Sequence, residues 1–231
     1  MDFSNYKFRC SSLGYLMTEA RSKSETISET TKTHLMDCYV SAVFNRRNDI
    51  TSKFLEKGIQ VEELSIDLLS SVNKEMYFKN EDRFTNDFIQ GTPDIVTEDE
   101  GNKIVIDIKS SWDIYTFVRS MEKENKMYYW QLQGYMWLTG ATQATLSYCL
   151  VDTPDEIIQR EIKRALYQSG VSENSESFLE YQKEMIAYFK YSDIPQNKRV
   201  HTKNYTFDKS AIESLKSRIL ECRNFLNSIN W

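Results

Sequence analysis

The chain has little of several features that mark particular classes of protein. It has only three prolines and seven glycines among 231 residues, which excludes a collagen-like or linker-dominated chain. No apolar run approaches the roughly 18–20 residues that a membrane-spanning helix needs. The first residues also lack the apolar stretch of a secretory signal. We therefore expect a cytoplasmic protein with no membrane partner.

Cysteine is scarce as well, and the four cysteines lie far apart at Cys10, Cys38, Cys149 and Cys222. A structural zinc site needs two ligands close together in the chain. An iron–sulfur site usually needs a tight group of cysteines. The spacing therefore argues against both kinds of site and predicts buried free thiols.

Charge and apolar content are those of a folded domain. Lysine and arginine number 29 against 34 acidic residues, which gives a formal net charge of −5. This balance argues against nonspecific coating of nucleic acid. It allows a DNA enzyme whose metal-binding carboxylates lie beside a local basic groove. Because 40% of the residues are hydrophobic, the chain can bury a core, and we expect one domain over 1–231.

Hydrophobic periodicity predicts a mixed α/β chain. The polar stretch 21–33 is predicted to be a mobile loop, and Asp49 is predicted to cap the helix that follows it. Helices are expected over about 33–45, 51–73, 125–139, 154–168, 173–191 and 208–228. Strands are expected over 75–79, within 87–97, and over 103–109, 143–151 and 198–207, with a hairpin turn at 99–102.

The strongest chemical signal lies between residues 91 and 109. Side chains alternate along a strand, so Asp107 and Lys109 point the same way. The hairpin turn then brings Asp94 back beside Asp107. Two carboxylates suit a hard divalent cation such as Mg²⁺, and an adjacent lysine suits phosphodiester hydrolysis. The alternative is an ordinary exposed Asp-x-Lys strand with an acid in the preceding turn, although Ile104–Ile108 is very apolar.

Two helices add weaker signals. Tyr128, Gln131 and Tyr135 are three and four residues apart and share one helix face, as they would in an ordinary amphipathic core helix. Glu62 shares a face with Ile59 and is expected to point towards the core. A solvated surface charge is the alternative for Glu62.

Together these motifs resemble the PD-(D/E)xK nuclease superfamily. The signature is a Pro-Asp pair ending at Asp94, followed by Asp-Ile-Lys at 107–109. The chain is most similar to the phage-type exonucleases of the YqaJ and lambda-exonuclease group, which share a Gly-x-x-x-Glu pattern with residues 58–62. The RecB-like Gln-x-x-x-Tyr pattern matches residues 131–135. The resemblance implies a restriction-endonuclease-like α/β core over about 8–152, with a central mixed β-sheet flanked by helices and a helical extension over about 153–231.

The resemblance also implies roles for individual residues. Metal ligands would be Glu62, Asp94, Asp107 and the main-chain carbonyl of Ile108, with Mg²⁺ or Mn²⁺ as the cofactor. Lys109 would position the attacking water, while Gln131 and Tyr135 would support it. The candidates for binding a 5′-phosphate are Arg9, Ser11, Ser12 and Thr92, with a helix start near Ser12. Trp112 would stack on a base or else pack in the core.

The resemblance implies a Mg²⁺-dependent DNA exonuclease that processes duplex ends from 5′ to 3′ in phage-type recombination or DNA repair. It would act in the cytosol of a bacterium or of a phage-infected host. Family analogues pair with a single-strand annealing protein and form ring-shaped homo-oligomers. Two alternatives stay open: an endonuclease of restriction or repair type, and a catalytically idle member that binds DNA or a protein partner.

Overall fold

The computed structural model describes residues 1–22, 24–46, 48, 52–122 and 124–230. Its helices are α1 (Leu13–Leu16), α2 (Glu29–Phe44), α3 (Lys53–Gln60), α4 (Glu62–Asn73), α5 (Ile114–Glu122), α6 (Lys126–Thr139), α7 (Asp155–Ser169), α8 (Glu176–Tyr188) and α9 (Lys209–Ser228). Its strands are β1 (Phe8–Arg9), β2 (Phe84–Thr85), β3 (Ile89–Gly91), β4 (Ile95–Asp99), β5 (Asn102–Ser110), β6 (Gln143–Cys149) and β7 (Val200–Thr206). Within the described ranges, no helix is both long and apolar enough to cross a membrane.

A four-stranded mixed sheet lies at the centre, in the order β4-β5-β6-β7. The pair β5 and β6 is parallel, and the two outer pairs are antiparallel. The chain crosses from β5 to β6 through α5 and α6, as a parallel connection requires. The three short strands form a second sheet in the order β1-β3-β2. The expected mixed α/β fold is therefore confirmed.

A two-residue turn forms the predicted hairpin between β4 and β5. Glu100 and Gly101 have φ angles of 49° and 81°, and Asp99 pairs directly with Asn102. Two consecutive positive φ angles match the right-handed twist of the flanking strands. The turn thereby sets the register of the strands that carry Asp94 and Asp107.

The central sheet is covered on both faces. Val105 and Leu146 pack on one side against Leu132 of α6, in the larger of the hydrophobic clusters. Ile106 and Ile108 face the other side and pack against α4. Because β5 alternates between these two cores, Asp107 projects towards α6 from the buried stretch Val105–Ile108 of the strand.

The long helix predicted over 51–73 is wrong in one respect, because it is two helices that meet at Val61. Val61 has φ −111° and ψ 13° and is fully buried. Its amide still donates to the Lys57 carbonyl at 3.0 Å, so the chain bends without losing that bond. Asp49 lies outside the described residues, and the side chain of Ser52 caps α3 through the Leu55 amide.

The strand predicted over 75–79 is also wrong. Met76 and Phe78 are 76% and 72% exposed, so their alternation with polar residues does not mark a face of a sheet. The polar stretch at 21–33 contains the start of α2, which begins at Glu29 because Ser28 caps it through the Thr31 amide. Alternation and polarity are therefore misleading in these two segments.

The remaining predicted elements agree with the structure more closely. Strand β7 and helix α9 lie within the ranges predicted at 198–207 and 208–228. Beyond residue 152, β7 forms an edge of the central sheet and Leu215 of α9 packs into the larger core. All four cysteines are free, and three are buried while Cys38 is half-buried.

Two glycines give a stability prediction with an internal control. A Cβ added at Gly91 would lie 2.7 Å from Cε1 of Tyr135 and 2.9 Å from Sγ of Cys10, whereas one added at Gly58 would meet nothing within 4 Å. We expect Gly91→Ala to lower the free energy of unfolding by roughly 1–3 kcal/mol because it overpacks the core. Gly58→Ala should raise the free energy of unfolding by about 1 kcal/mol because alanine favours the helix.

Urea unfolding of both variants and the wild type checks this pair. A Gly91→Ala variant as stable as the wild type would contradict the close packing of Tyr135 against β3.

Candidate active site

Two aspartates from neighbouring strands lie side by side at the end of the β4–β5 hairpin. Ile95 pairs with Ile106, so the register carries Asp94 opposite Asp107. Strand β4 begins only after Asp94, which leaves the Ile108 amide free to donate to Oδ2 of Asp94 at 2.6 Å. The amide and carbonyl of a strand residue leave on the same side. The Ile108 carbonyl therefore faces the same edge as Asp94.

Asp107 is held from two sides. It is 1% exposed, and its Oδ1 accepts a hydrogen bond from Nε2 of Gln131 at 3.0 Å. The same Gln131 nitrogen lies 3.1 Å from the Tyr135 hydroxyl. Oδ2 of Asp107 forms an ion pair with Nζ of Lys109 at 2.5 Å. The expected grouping of Asp107, Lys109, Gln131 and Tyr135 is thus present in the fold.

Lys109 is positioned to present a positive charge. Its Nζ lies 5.0 Å from the centroid of the Tyr128 ring, and a quarter of its side chain is exposed. Burial lowers the pKa of Lys109, but Asp107 and Asp94 raise it by more, so the net change is upward. The ammonium form is therefore stabilised at neutral pH.

The surroundings of Asp94 disfavour its ionised form. Burial raises the pKa of Asp94, the charge of Asp107 adds to this, and the resulting pKa is about 7. Lys109 and the Ile108 amide act in the opposite direction without cancelling the rise. A positive charge at this point would favour the ionised form of Asp94 and so lower its pKa.

Glu62 lies at the first position of α4 and not in the middle of a helix. Its Oε2 accepts from Nζ of Lys79 at 2.8 Å, and its charge contributes to the raised pKa of Asp94. Ile59 belongs to α3 and is 64% exposed, so the core-facing side expected for Ile59 is wrong, whereas the Glu62 side chain is partly buried at 24% exposure. Since the chain bends at Val61, spacing across the bend does not report a shared face.

The donor set suits a hard divalent cation. Asp94, Asp107 and the Ile108 carbonyl offer oxygen ligands at one edge of the sheet, and Mg²⁺ is commonly held by one or two carboxylates together with waters and substrate oxygens. Across the part of the chain that the structure describes, no three His, Cys, Asp or Glu side chains lie close enough together to hold a metal ion, so Glu62 is not grouped with Asp94 and Asp107. The two aspartates and the Ile108 carbonyl fit a cation whose remaining ligands would be waters or substrate oxygens.

The residues predicted to bind a 5′-phosphate line one cavity of about 810 Å³. Exposed Arg9, Ser11 and Thr92 share this cavity with Ser12 and Tyr135. A helix does begin after Ser12, but α1 is a single turn of four residues. The cation of Arg9 is therefore the better source of anion affinity here, because a one-turn helix carries little dipole.

Trp112 lies in a different cavity, of about 660 Å³, which reaches Lys109 and Tyr128. Its ring centroid is 5.1 Å from that of Phe54 and 5.3 Å from that of Phe189. The ring is therefore part of an aromatic cluster, and its stacking on a base stays a prediction.

Sequence reasoning missed two lysines of this region. Lys79, the partner of Glu62, lies in the segment wrongly predicted as a strand. Lys57 lies three residues after Phe54 and four before Val61, which is core spacing on a helix. A lysine at core spacing between apolar residues indicates a buried charge, and this pattern could have identified Lys57 from the sequence.

The raised pKa of Asp94 predicts a pH dependence of stability. The folded chain holds this proton more tightly than the unfolded chain, so the contribution is greatest below about pH 4 and is lost as the pH rises through about 7. In the presence of a chelator, Asp94→Asn should therefore lose less thermal stability than the wild type between about pH 5 and pH 8. The exposed Asp67→Asn serves as the control, and equal pH profiles for wild type and Asp94→Asn would contradict the assignment.

Solved structures provide the comparison for this fold and site. No protein-family model and no curated protein matches the sequence. A phage-related exonuclease from Haemophilus somnus 129PT is 25% identical, with a TM-score of 0.75 over 96% of this chain and 94% of that chain. An alkaline exonuclease from Laribacter hongkongensis is 12% identical, with a TM-score of 0.64 over 97% and 90% of the two chains. The resemblance inferred from the motifs is confirmed, and the chain has the phage-type exonuclease fold of the PD-(D/E)xK nuclease superfamily.

Proposed function

We propose that this protein is a Mg²⁺-dependent deoxyribonuclease that removes nucleotides from the ends of duplex DNA, from 5′ to 3′, in phage-type recombination or repair. The observation that carries the proposal is the meeting of Asp94, Asp107 and Lys109 at one edge of the sheet, where a quarter of the Lys109 side chain is exposed. The similarity to the phage-related exonuclease supports a nuclease function.

A bound Mg²⁺, or Mn²⁺ in its place, would polarise the scissile phosphate and favour ionisation of a water. Asp94, Asp107 and the Ile108 carbonyl would hold it, with Glu62 completing the set directly or through water. The protein's own contribution begins with Lys109. Because its pKa is raised, Lys109 keeps its protons at Nζ and orients the attacking water as a donor. The same positive charge offsets the negative charge that develops on the phosphate.

Gln131 and Tyr135 have a supporting role in this scheme. The Gln131 amide fixes one oxygen of Asp107 and thereby leaves the other oxygen directed at Lys109. The Tyr135 hydroxyl neighbours the Gln131 nitrogen, and burial raises the pKa of Tyr135, so the hydroxyl stays protonated. The pair restricts the rotation of Asp107 without touching the reacting atoms.

The two cavities suggest how a DNA strand lies across the site. The cavity of Arg9, Ser11, Ser12 and Thr92 would receive the terminal 5′-phosphate. The cavity that contains Lys109 and Trp112 would receive the strand beyond the scissile bond. The alkaline exonuclease has been solved in complex with dAMP, a 5′-mononucleotide of the kind released in our proposal. Partnership with a single-strand annealing protein and a ring-shaped homo-oligomer stay predictions from the resemblance.

Digestion of linear and of closed-circular duplex DNA in the presence of Mg²⁺ tests the proposal. We expect loss of linear DNA alone, and Lys109→Ala should reduce the rate by at least about 10²–10³-fold because it removes a preorganised charge. Its melting temperature is measured alongside, because the loss of Lys109 leaves the buried Asp107 carboxylate without its ion pair, and only a variant that is folded at the assay temperature counts. Cutting of circles would indicate an endonuclease. Undiminished turnover by Lys109→Ala would contradict the site, and no cutting of either substrate would indicate an idle binding member.

Arg9→Ala tests the direction of attack separately. The wild type should degrade 5′-phosphorylated ends faster than 5′-hydroxyl ends, and loss of the Arg9 cation should remove this difference. Arg83→Ala is the matched control, because Arg83 lines the same cavity but its guanidinium is bonded to Gln90. A phosphate preference that survives in Arg9→Ala would show that this cavity does not read the 5′ end.

A further inference from the structure

Lys57 is buried completely by the fold, although nothing in the proposed chemistry uses it. It is 1% exposed, and lysine is almost never buried to this extent without a partner. Its Nζ donates to the main-chain carbonyl of Trp112 at 2.9 Å and lies 5.7 Å from the centroid of the Tyr191 ring. The ammonium group is therefore directed at the segment that follows β5.

No carboxylate forms an ion pair with Lys57 among the described residues. Asp113 and Asp152 act on it only at longer range, while burial lowers the pKa of Lys57 to about 7. Asp113 is engaged with the Thr116 amide and the Tyr188 hydroxyl at 2.7 and 2.9 Å. An apolar side chain of similar length would fill the space without the cost of burying a charge. Packing alone therefore does not account for a lysine at this position, and its specific contribution is the hydrogen bond to the Trp112 carbonyl.

Lys57 connects the segment that leads into Glu62 with the segment that follows Lys109. On the helix side, the main-chain carbonyl of Lys57 accepts a hydrogen bond from the Val61 amide, immediately before α4 begins at Glu62. On the other side, Trp112 lies three residues after Lys109. One buried side chain thus bridges the helix bend and the end of β5.

A second bridge joins the same two segments. Oγ of Ser65, one turn into α4, lies 2.8 Å from Oγ of Ser110, and the Cys149 thiol of β6 donates to the Ser65 carbonyl at 3.6 Å. Two bridges on either side of Glu62 restrict how α4 can shift against β5. The restriction affects Glu62 because the hydrogen bond that its side chain forms among the described residues is to Lys79, so its place relative to Asp94 and Asp107 depends on how α4 is held.

We propose that Lys57 is a positioning residue, which holds the start of α4, and with it Glu62, in register with Asp94 and Asp107. The inference rests on the proposed function, since it assigns Glu62 to the cation site of that proposal. Lys57 does not touch the substrate or the cation. It acts through the Trp112 carbonyl and the bend at Val61.

The test compares Lys57→Met with the wild type and with Lys163→Met, a control at an exposed lysine of α7. Three quantities are measured: the melting temperature, the affinity of the protein alone for Mn²⁺ by calorimetric titration, and kcat and KM on linear duplex DNA. We expect the melting temperature of Lys57→Met to be unchanged or higher. Its Mn²⁺ affinity should fall roughly 10-fold, and its kcat should fall by about 100-fold with KM unchanged.

A folded Lys57→Met variant with wild-type Mn²⁺ affinity and kcat would overturn the inference. If the wild type binds Mn²⁺ but cuts no DNA, the proposed function fails, and the difference in Mn²⁺ affinity still decides the role of Lys57. If Lys57→Met does not fold, Lys57→Gln replaces it, because the shorter side chain stays polar but loses the reach to the Trp112 carbonyl. A folded Lys57→Gln with unchanged Mn²⁺ affinity and kcat would then overturn the inference.

Discussion

The site depends on keeping two carboxylates, Asp94 and Asp107, side by side at a buried edge of the sheet. Burial, and after it the charge of Asp107, raises the pKa of Asp94 to about 7, so this position favours a protonated carboxyl. The surrounding chain counters it with the Ile108 amide, the Gln131 amide and the Lys109 ammonium. Those groups hold the two carboxylates in place but supply only one positive charge for them. In the proposed function, a divalent cation would balance the remaining negative charge of the pair.

The fold supplies this arrangement through three separate devices. The hairpin turn at Glu100 and Gly101 sets the register that brings Asp94 opposite Asp107. Helix α6 presents Gln131 to one face of β5, and helix α4 packs against the other face. Because both faces of β5 are covered, Asp107 is almost fully buried. In the proposed function, the two cavities would receive the DNA strand.

The sequence predicts the parts of the site that depend on local periodicity. Strand alternation places Asp107 and Lys109 on one face, and helical spacing places Gln131 and Tyr135 together; the structure agrees with both. The sequence does not predict the bend at Val61. A buried valine between two helical segments leaves no break in the apolar pattern. Glu62 was consequently placed in a helix that does not exist as one piece. Lys57 and Lys79 were missed because their partners are a main-chain carbonyl and a distant glutamate, which no spacing encodes.

The central claim is that Asp94 and Asp107 together hold a divalent cation. Crystals soaked in Mn²⁺, measured at an energy where manganese scatters anomalously, would test it most directly. The account predicts one anomalous peak within bonding distance of a carboxylate oxygen of Asp94, a carboxylate oxygen of Asp107 and the Ile108 carbonyl. The peak should be lost in Asp107→Asn crystals. A wild-type map with no peak at this edge of the sheet, or with manganese bound only elsewhere, would contradict the account.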